Sequence, residues 1–259
     1  MEIRMLGHSM VRIVSENGKV IVVDPWIQGN PTCPAEWQDE ERWRDVDIVL
    51  CTHAHFDHSL GFEQLLTAND RVMGVVQYEY FLKEFAGKKS NVFPLNFGGT
   101  YPLLDDISIT LVPANHSAGF GEDRAFSQAG LPAGFVIRLE NGFTIYVSGD
   151  TSYVSEMETL IRPLYRPDVA VLSIGGVFTM GPEEGAYAAR AIGAKYAIPC
   201  HWFPKLEAAA DRKGMEDLIA AFPPTTFLIE RHRDFVRELK SYPGIEAVVL
   251  QPGEAFQGL

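Results

Sequence analysis

The sequence predicts an α+β fold, a mixed sandwich rather than a doubly wound parallel sheet. Three observations predict it. The first 23 residues carry three short apolar runs joined by tight turns. Asn141-Gly142, the strongest short hairpin signal in the chain, separates two more such runs. Helical patterns are scattered among the strands instead of alternating with them in a regular βαβ series.

Taken in order, Ile3 to Leu6, Met10 to Val14 and Val20 to Val23 read as a β-meander, with Glu16-Asn17-Gly18 as one turn and Asp24-Pro25 as the stop. The stretch from Gln28 to Arg44 is rich in Pro, Trp and charge, and reads as a long loop with one short helix. Strands follow near 47–51, 71–76, 106–112, 134–140, 143–148, 168–173 and 195–199. Helices are expected at 58–67, 78–86, 152–162, 182–192 and 206–221. At 182–192 the end signals agree, with Pro182 suited to the first helical position, Glu183 and Glu184 to the first turn, and Gly193 to the stop.

A chain of 259 residues with 46% hydrophobic and 22% charged residues is neither disordered nor fibrous. It contains no repeat, low-complexity segment or linker, so one domain over 1–259 is expected. The cysteines, Cys33, Cys51 and Cys200, form no disulfide pattern. With no signal peptide and no long apolar run, a cytoplasmic protein without membrane attachment is expected. The net charge of −12 disfavours nucleic acid, which is bound through clustered Lys and Arg. An anionic small molecule stays compatible, because two divalent cations would leave their site locally positive. Homo-oligomerisation is a reasonable expectation.

The chemistry concentrates in His53-Ala54-His55-Phe56-Asp57-His58, four potential metal ligands within six positions. An apolar run ends just before it and a helical pattern starts just after it. His53 and His55, alternating in extended backbone, can share one metal ion. Asp57 and His58, at the start of a helix whose N-terminus favours an anion or hydroxide, can serve a second. Three more candidates each follow a predicted strand. His116 would complete the first ion's ligands, His201 would complete the second's, and Asp150 has two oxygens with which to bridge them. Imidazole and carboxylate ligands suit Zn or Mn, with Fe also compatible. Two such ions about 3.5–4 Å apart can share a hydroxide nucleophile, and Asp57 or Asp150 can relay a proton to the leaving group.

Other residues are open to two readings. His8 either reaches the pocket as a substrate contact or general acid, or hydrogen-bonds its own turn. Asp24 orients a ligand histidine from behind, or simply makes an Asp-Pro turn. Asn115 polarises a substrate carbonyl or caps a loop, with the cap preferred. Cys51 and Cys200 read as small buried hydrophobes, and His232, between two arginines, as a solvated surface residue. The Gly-rich segment 118–133, with Phe120 and Phe126, is expected to be a mobile loop over the site. Trp26, Trp37 and Trp43 could line the same pocket or an oligomer interface.

These motifs together resemble the metallo-β-lactamase superfamily. The H-x-H-x-D-H cluster, His116, Asp150 in Ser-Gly-Asp-Thr and His201 match its ordered ligand motifs. Within it the chain is most similar to small bacterial metal-dependent hydrolases related to L-ascorbate-6-phosphate lactonase. Leu6-Gly7-His8-Ser9, Val23-Asp24-Pro25, Gly149-Asp150-Thr151 and Phe178-Thr179-Met180-Gly181-Pro182 carry that likeness. The resemblance implies a four-layer αββα sandwich and a dinuclear site with His53, His55 and His116 on one ion, Asp57, His58 and His201 on the other, and Asp150 between. It further implies a hydrolase acting on a small molecule, with a lactone or other ester first. A phosphodiesterase or nuclease of the same fold is the alternative.

Overall fold

The computed structural model describes residues 1–120 and 127–257. The meander forms as expected. Strands β1 (Glu2–Met5), β2 (Val11–Val14) and β3 (Val20–Val23) pair antiparallel. Gly18 closes the second turn at φ 80°, a conformation that costs glycine nothing. The sheet then continues in parallel through β4 (Ile48–Leu50), β5 (Met73–Gln77) and β6 (Val92–Leu95).

The second sheet begins with β7 (Thr100–Pro102) and β8 (Ser108–Pro113). A separate two-stranded ribbon, β9 (Gly119–Phe120) and β10 (Ser127–Gln128), precedes β11 (Ala133–Arg138). The Asn141-Gly142 turn joins β11 to β12 (Thr144–Val147), with Gly142 at φ 85°. Parallel pairing then adds β13 (Val169–Ser173), β14 (Tyr196–Cys200) and β15 (Glu246–Ala247). The last strand, β16 (Ala255–Gln257), returns to the first sheet and pairs with β1. Each sheet therefore has seven strands, antiparallel on one side and parallel on the other.

Alternation within the strands builds the four layers. Ile21, Val23, Ile48 and Leu50 face Leu111, Phe135, Val147 and Val171 in the core between the sheets. Their neighbours Val20, Val22 and Val49 face outward, under Trp37, Trp43, Phe62 and Leu65. On the far side Ala170 and Leu172 pack under α-helical Ala189, Ile192, Phe235 and Leu239. Strands apolar on both faces need cover on both faces, and the helices provide it. The result is the αββα sandwich. Among the described residues no helix is long and apolar enough to cross a membrane.

Several local expectations are corrected. The helix expected at 58–67 is two pieces, α1 (Phe56–Ser59) and α2 (Phe62–Leu66). They break at Gly61, whose N–H donates to the Pro25 carbonyl and whose Cα approaches it too closely for a side chain. With only four residues, α1 has little macrodipole to offer. Helices α3 (Tyr78–Glu84) and α4 (Pro182–Ile192) match expectation. The segment at 152–162 instead starts late, as a π-helix over Met157–Tyr165. Only 212–221 of the expected 206–221 helix is α-helical, as α5 (Arg212–Ala221), because Asp211 caps it by accepting from Gly214 N–H. The loop at 28–44 holds two short 3-10 helices, not one. Helix α6 (Arg231–Leu239) was not anticipated.

Candidate metal centre

The chemistry-bearing residues meet at one edge of the sandwich, where C-terminal strand ends from both sheets converge. Asp24 follows β3, His53 follows β4, His116 follows β8, Asp150 follows β12 and His201 follows β14. His8 sits in the turn between β1 and β2. His53 and His55 belong to the loop that follows β4, where His55 is extended at φ −62° and ψ 148°, and that loop brings the two rings together.

Three groups of side chains offer ligand atoms all within 4.8 Å of one another: His53, His55 and His116; His53, His58 and Asp150; and His8, Asp57, His58 and His201. In the first group His53 Nε2 lies 2.9 Å from His55 Nδ1, and His116 Nε2 lies 3.2 Å from the same atom. Asp150 Oδ2 is central. It lies 3.0 Å from His201 Nε2, 3.3 Å from His58 Nε2 and 3.7 Å from His116 Nε2. Asp57 Oδ2 lies 3.7 Å from His58 Nε2 and 3.9 Å from His201 Nε2. All seven ligand candidates read from the sequence are thus in one cluster.

Asp24 sits behind this cluster as a shared support. Its Oδ2 accepts from His58 Nδ1 at 2.8 Å and from the Thr52 hydroxyl at 2.8 Å, and its Oδ1 accepts from Thr52 N–H at 2.7 Å. The Thr52 hydroxyl, its proton committed to Asp24, accepts from His53 Nδ1 at 3.0 Å. Both imidazoles are therefore held through Nδ1, which turns their Nε2 atoms toward the cluster. Thr52 had no signal in the sequence beyond preceding His53. His55 is held more lightly, by Ser117 Oγ at 3.3 Å from its Nε2.

Three residues here hold left-handed backbone without being glycine: His8 at φ 55°, Asp24 at φ 52° and His201 at φ 59°. Such conformations cost roughly 1–3 kcal/mol each and persist where the surroundings enforce them. His201 N–H donates to the His8 carbonyl at 3.0 Å, which locks two of them together. Gly175 makes room for that turn, since a Cβ there would overlap the His201 carbonyl oxygen.

The electrostatics suit a cation. Burial, reinforced by neighbouring histidines, pulls His53 well below the ordinary imidazole value and His55 down to about 4. Burial also lowers His116. These rings are neutral, with lone pairs available. Burial opposes ionisation of Asp57 and Asp150, yet the facing histidines outweigh it and hold both carboxyls below their usual range. His58 is the exception. Burial disfavours its charge, but Asp150, Asp24 and Asp57 together raise it well above its ordinary value. Three carboxylates around one buried imidazole call for positive charge. His58 Nε2 and Asp150 Oδ1 are also buried with no partner in hydrogen-bonding geometry. Imidazole and carboxylate donors, unpartnered and buried, fit a bound divalent ion.

His8 does not bond its own turn through its ring. Its Nε2 meets Asp57 Oδ2 at 3.0 Å, its Nδ1 is buried without a partner, and burial lowers its pKa to about 4. Asn115 serves the loop, bonding Ser152 Oγ at 2.9 Å. Cys51 and Cys200 are buried, with thiols pushed up by burial. Trp26 lines the pocket, whereas Trp37 and Trp43 are core. His232 is not solvated; it is buried on α6, 3.9 Å centroid to centroid from Trp202. The spacing His232, Phe235, Leu239 carried that signal. Of the loop expected over the site, 121–126 including Phe126 lies outside the described residues, while Gly119 lines the pocket.

A cleft of about 1090 Å³ opens on the cluster. Beyond the histidines, Asp57 and Asp150, its walls are largely aromatic and aliphatic. Its other charged residues are Glu63 and Glu84, and no Lys or Arg lines it among the described residues.

Comparison with known proteins agrees with this picture. A family model described as Beta-lactamase superfamily domain matches residues 19–202. A UPF0173 metal-dependent hydrolase of Chloroflexus aurantiacus is 34% identical over 257 residues, covering 98% of this chain and 96% of its own. Another, from Roseobacter denitrificans, is 40% identical over 228 residues, covering 86% and 93%. Among solved structures, a metallo hydrolase from the archaeon Ignicoccus hospitalis superposes with a TM-score of 0.74 at 26% identity, covering 100% of this chain and 99% of its own.

Proposed function

The chain belongs to the metallo-β-lactamase superfamily and is a metal-dependent hydrolase, and from that premise we propose that it uses two divalent cations, zinc or manganese, to hydrolyse a neutral, largely apolar ester or lactone. The lining of the cleft carries this reading. A site for phosphodiesters or nucleic acid would present cations to the non-bridging or flanking phosphates. Among the described residues the groups flanking the ligand cluster are rings, aliphatic side chains, a few hydroxyls and two carboxylates. The same lining weighs against an anionic substrate.

In this reading His53, His55 and His116 would hold one ion and Asp57, His58 and His201 the other, with Asp150 available to both. Such ions supply Lewis acidity and make a water acidic enough to act as nucleophile near neutral pH. The chain's own residues do the rest. Asp24 and Thr52 fix the ring orientation of His53 and His58. The apolar walls exclude bulk water and strengthen every charge interaction inside. The carbonyl carbon gains a C–O bond from water and the ester C–O bond breaks. The proton lost by the attacking water passes to the His8–Asp57 pair, and from there it is handed to the departing oxygen, which leaves as the alcohol.

Loading purified protein with Zn or Mn and counting ions by mass spectrometry under native conditions tests the stoichiometry. A panel of esters, lactones, thioesters, β-lactams and phosphodiesters tests the substrate class. Two ions per chain and turnover of esters or lactones are expected. One ion at saturation, or turnover confined to phosphodiesters, overturns the reading.

A further inference from the structure

We propose that the aromatic wall running outward from His8, formed by Phe203, Trp26, Phe56 and Phe222, is a subsite for the apolar substituent of the substrate. The enzyme then takes esters or lactones bearing an alkyl chain or aryl ring rather than acetyl-sized ones. This rests on the ester or lactone reading above.

The wall is continuous ring by ring. The His201 and His8 centroids lie 4.1 Å apart. Phe203 stacks on His8 at 4.8 Å and 17°. Trp26 meets His8 edge-on at 5.4 Å, Phe56 meets Trp26 edge-on at 5.4 Å, and Phe222 stacks on Phe56 at 6.2 Å and 21°. All of these rings line the same cleft as Asp57, Asp150 and His201. A group leaving the reacting carbon on the His8 side meets apolar surface from the cluster to the cleft mouth.

The inner end is rigid and the outer end waits for cover. Trp26 and Phe203 are buried with Met215 and Leu228 behind them. Phe203 is fixed by its N–H to the Leu228 carbonyl and by its own carbonyl to Glu230 N–H. Phe56 and Phe222 are 43% and 49% exposed. Two half-exposed rings stacked on each other inside a concave site are apolar surface that a ligand can remove from water, at roughly 25 cal/mol per Å². Position separates them from incidental exposure. Phe227 and Leu164 are more exposed still, at 66% and 63%, and neither lines the cleft. No charged side chain belongs to the wall, so its occupant is neutral.

The test uses alkyl hydroxamates, which bind zinc through one end and carry a tail of chosen length. Affinities for the zinc-loaded protein are measured by calorimetry from acetohydroxamate to octanohydroxamate, with benzohydroxamate as the aryl probe. Each added methylene is expected to tighten binding about three- to fourfold until the wall is covered. Phe222→Ala and Phe56→Ala flatten that slope at unchanged metal content, and Phe227→Ala retains it. A flat series in the unmodified protein, or a slope that survives both alanine variants, overturns the subsite. The two readings fail differently. Turnover of short esters with a flat hydroxamate series keeps the reaction and removes the wall. A steep series with no ester or lactone turned over keeps the wall and removes the reaction.

Discussion

The two halves of the ligand cluster are built to different standards. The half formed by Asp57, His58 and His201 has its two imidazoles sealed, His58 at 0% and His201 at 2% exposed, and only Asp57 reaches the cleft, with 17% of its side chain exposed. Asp24 grips His58 directly, and strained backbone at His8 and His201 fixes the turn beside it. The half formed by His53, His55 and His116 is only partly covered. His53 shares the Asp24 support through Thr52, but outside the cluster His55 has, among the described residues, one long side-chain contact, to Ser117, and it stands half-buried, as does His116. A supported ligand is pre-oriented and loses little freedom on binding, while an unsupported one must be ordered at that moment. The difference predicts staged occupancy. On the proposed two-ion reading, the sealed half is expected to hold its ion more tightly and chelation to empty the open half first.

The largest effect comes from the residue common to both halves. Asp150→Asn keeps the shape but removes the charge that sits between three imidazoles. Activity is expected to fall to background and the metal content to at most one ion per chain, read by native mass spectrometry. An Asp150→Asn protein that still binds two ions would show the halves to be independent. Next in size is Gly175→Ala. The new methyl group would overlap the His201 carbonyl and press on its ring and Leu228. His201 must move, so the sealed half is expected to lose its ion while the open half keeps its own. If Gly175→Ala empties the open half instead, the assignment of His201 is wrong.

Asp24→Asn is the more discriminating test. Asparagine tolerates the φ of 52° at this position, so the backbone is spared while the side chain loses its charge and one of its two acceptor oxygens. Loss of a supporting carboxylate typically costs on the order of 10–100-fold in metal affinity. Both His58 and, through Thr52, His53 should feel it, so competition with a graded chelator is expected to weaken both ions, the sealed one more. Ser117→Ala, by contrast, is expected to weaken only the open half and by less. Equal losses in the two variants would erase the distinction between supported and unsupported ligands.

Much of this centre was legible because its chemistry is local. His53 to His58 fall within six residues, and His116, Asp150 and His201 each follow an apolar run that had to be a strand. The ligand set therefore needed no knowledge of the sheet order. What stayed hidden depends on distant pairing. β6 and β7 contain Pro94 and Pro102, which blunt a strand signal, and β16 is defined by a partner some 250 residues earlier. Thr52 and Gly175 are invisible as functional residues until the fold brings Asp24 and His201 beside them. The aromatic wall joins Trp26, Phe56, Phe203 and Phe222, four positions with no common spacing. At His232 the sequence carries two opposed signals: its arginine neighbours speak for solvent, while its i+3 and i+7 neighbours Phe235 and Leu239 speak for burial, and burial wins.

His232 gives the smallest effect and probes the sealed half from behind. Its ring packs on Trp202, the residue after His201, and Trp202 Nε1 donates to the Pro199 carbonyl. Burial, aided by Arg233, lowers its pKa below the ordinary 6.5. A histidine lowered in the folded state is neutral there and takes up a proton more readily when unfolded. Its contribution to stability is complete above about pH 6.5 and is lost as pH falls from there toward the lowered value. His232→Phe keeps the ring packing and removes the titration. With metal bound, so that the ligand histidines do not titrate, the variant is expected to lose about 1–2 °C less in Tm than the unmodified protein between about pH 7 and pH 5. Its open half should be unaffected at either pH. Should acid instead release the open ion first in the unmodified protein and His232→Phe prevent it, the two halves are coupled through the α6 face and cannot be treated as separately built.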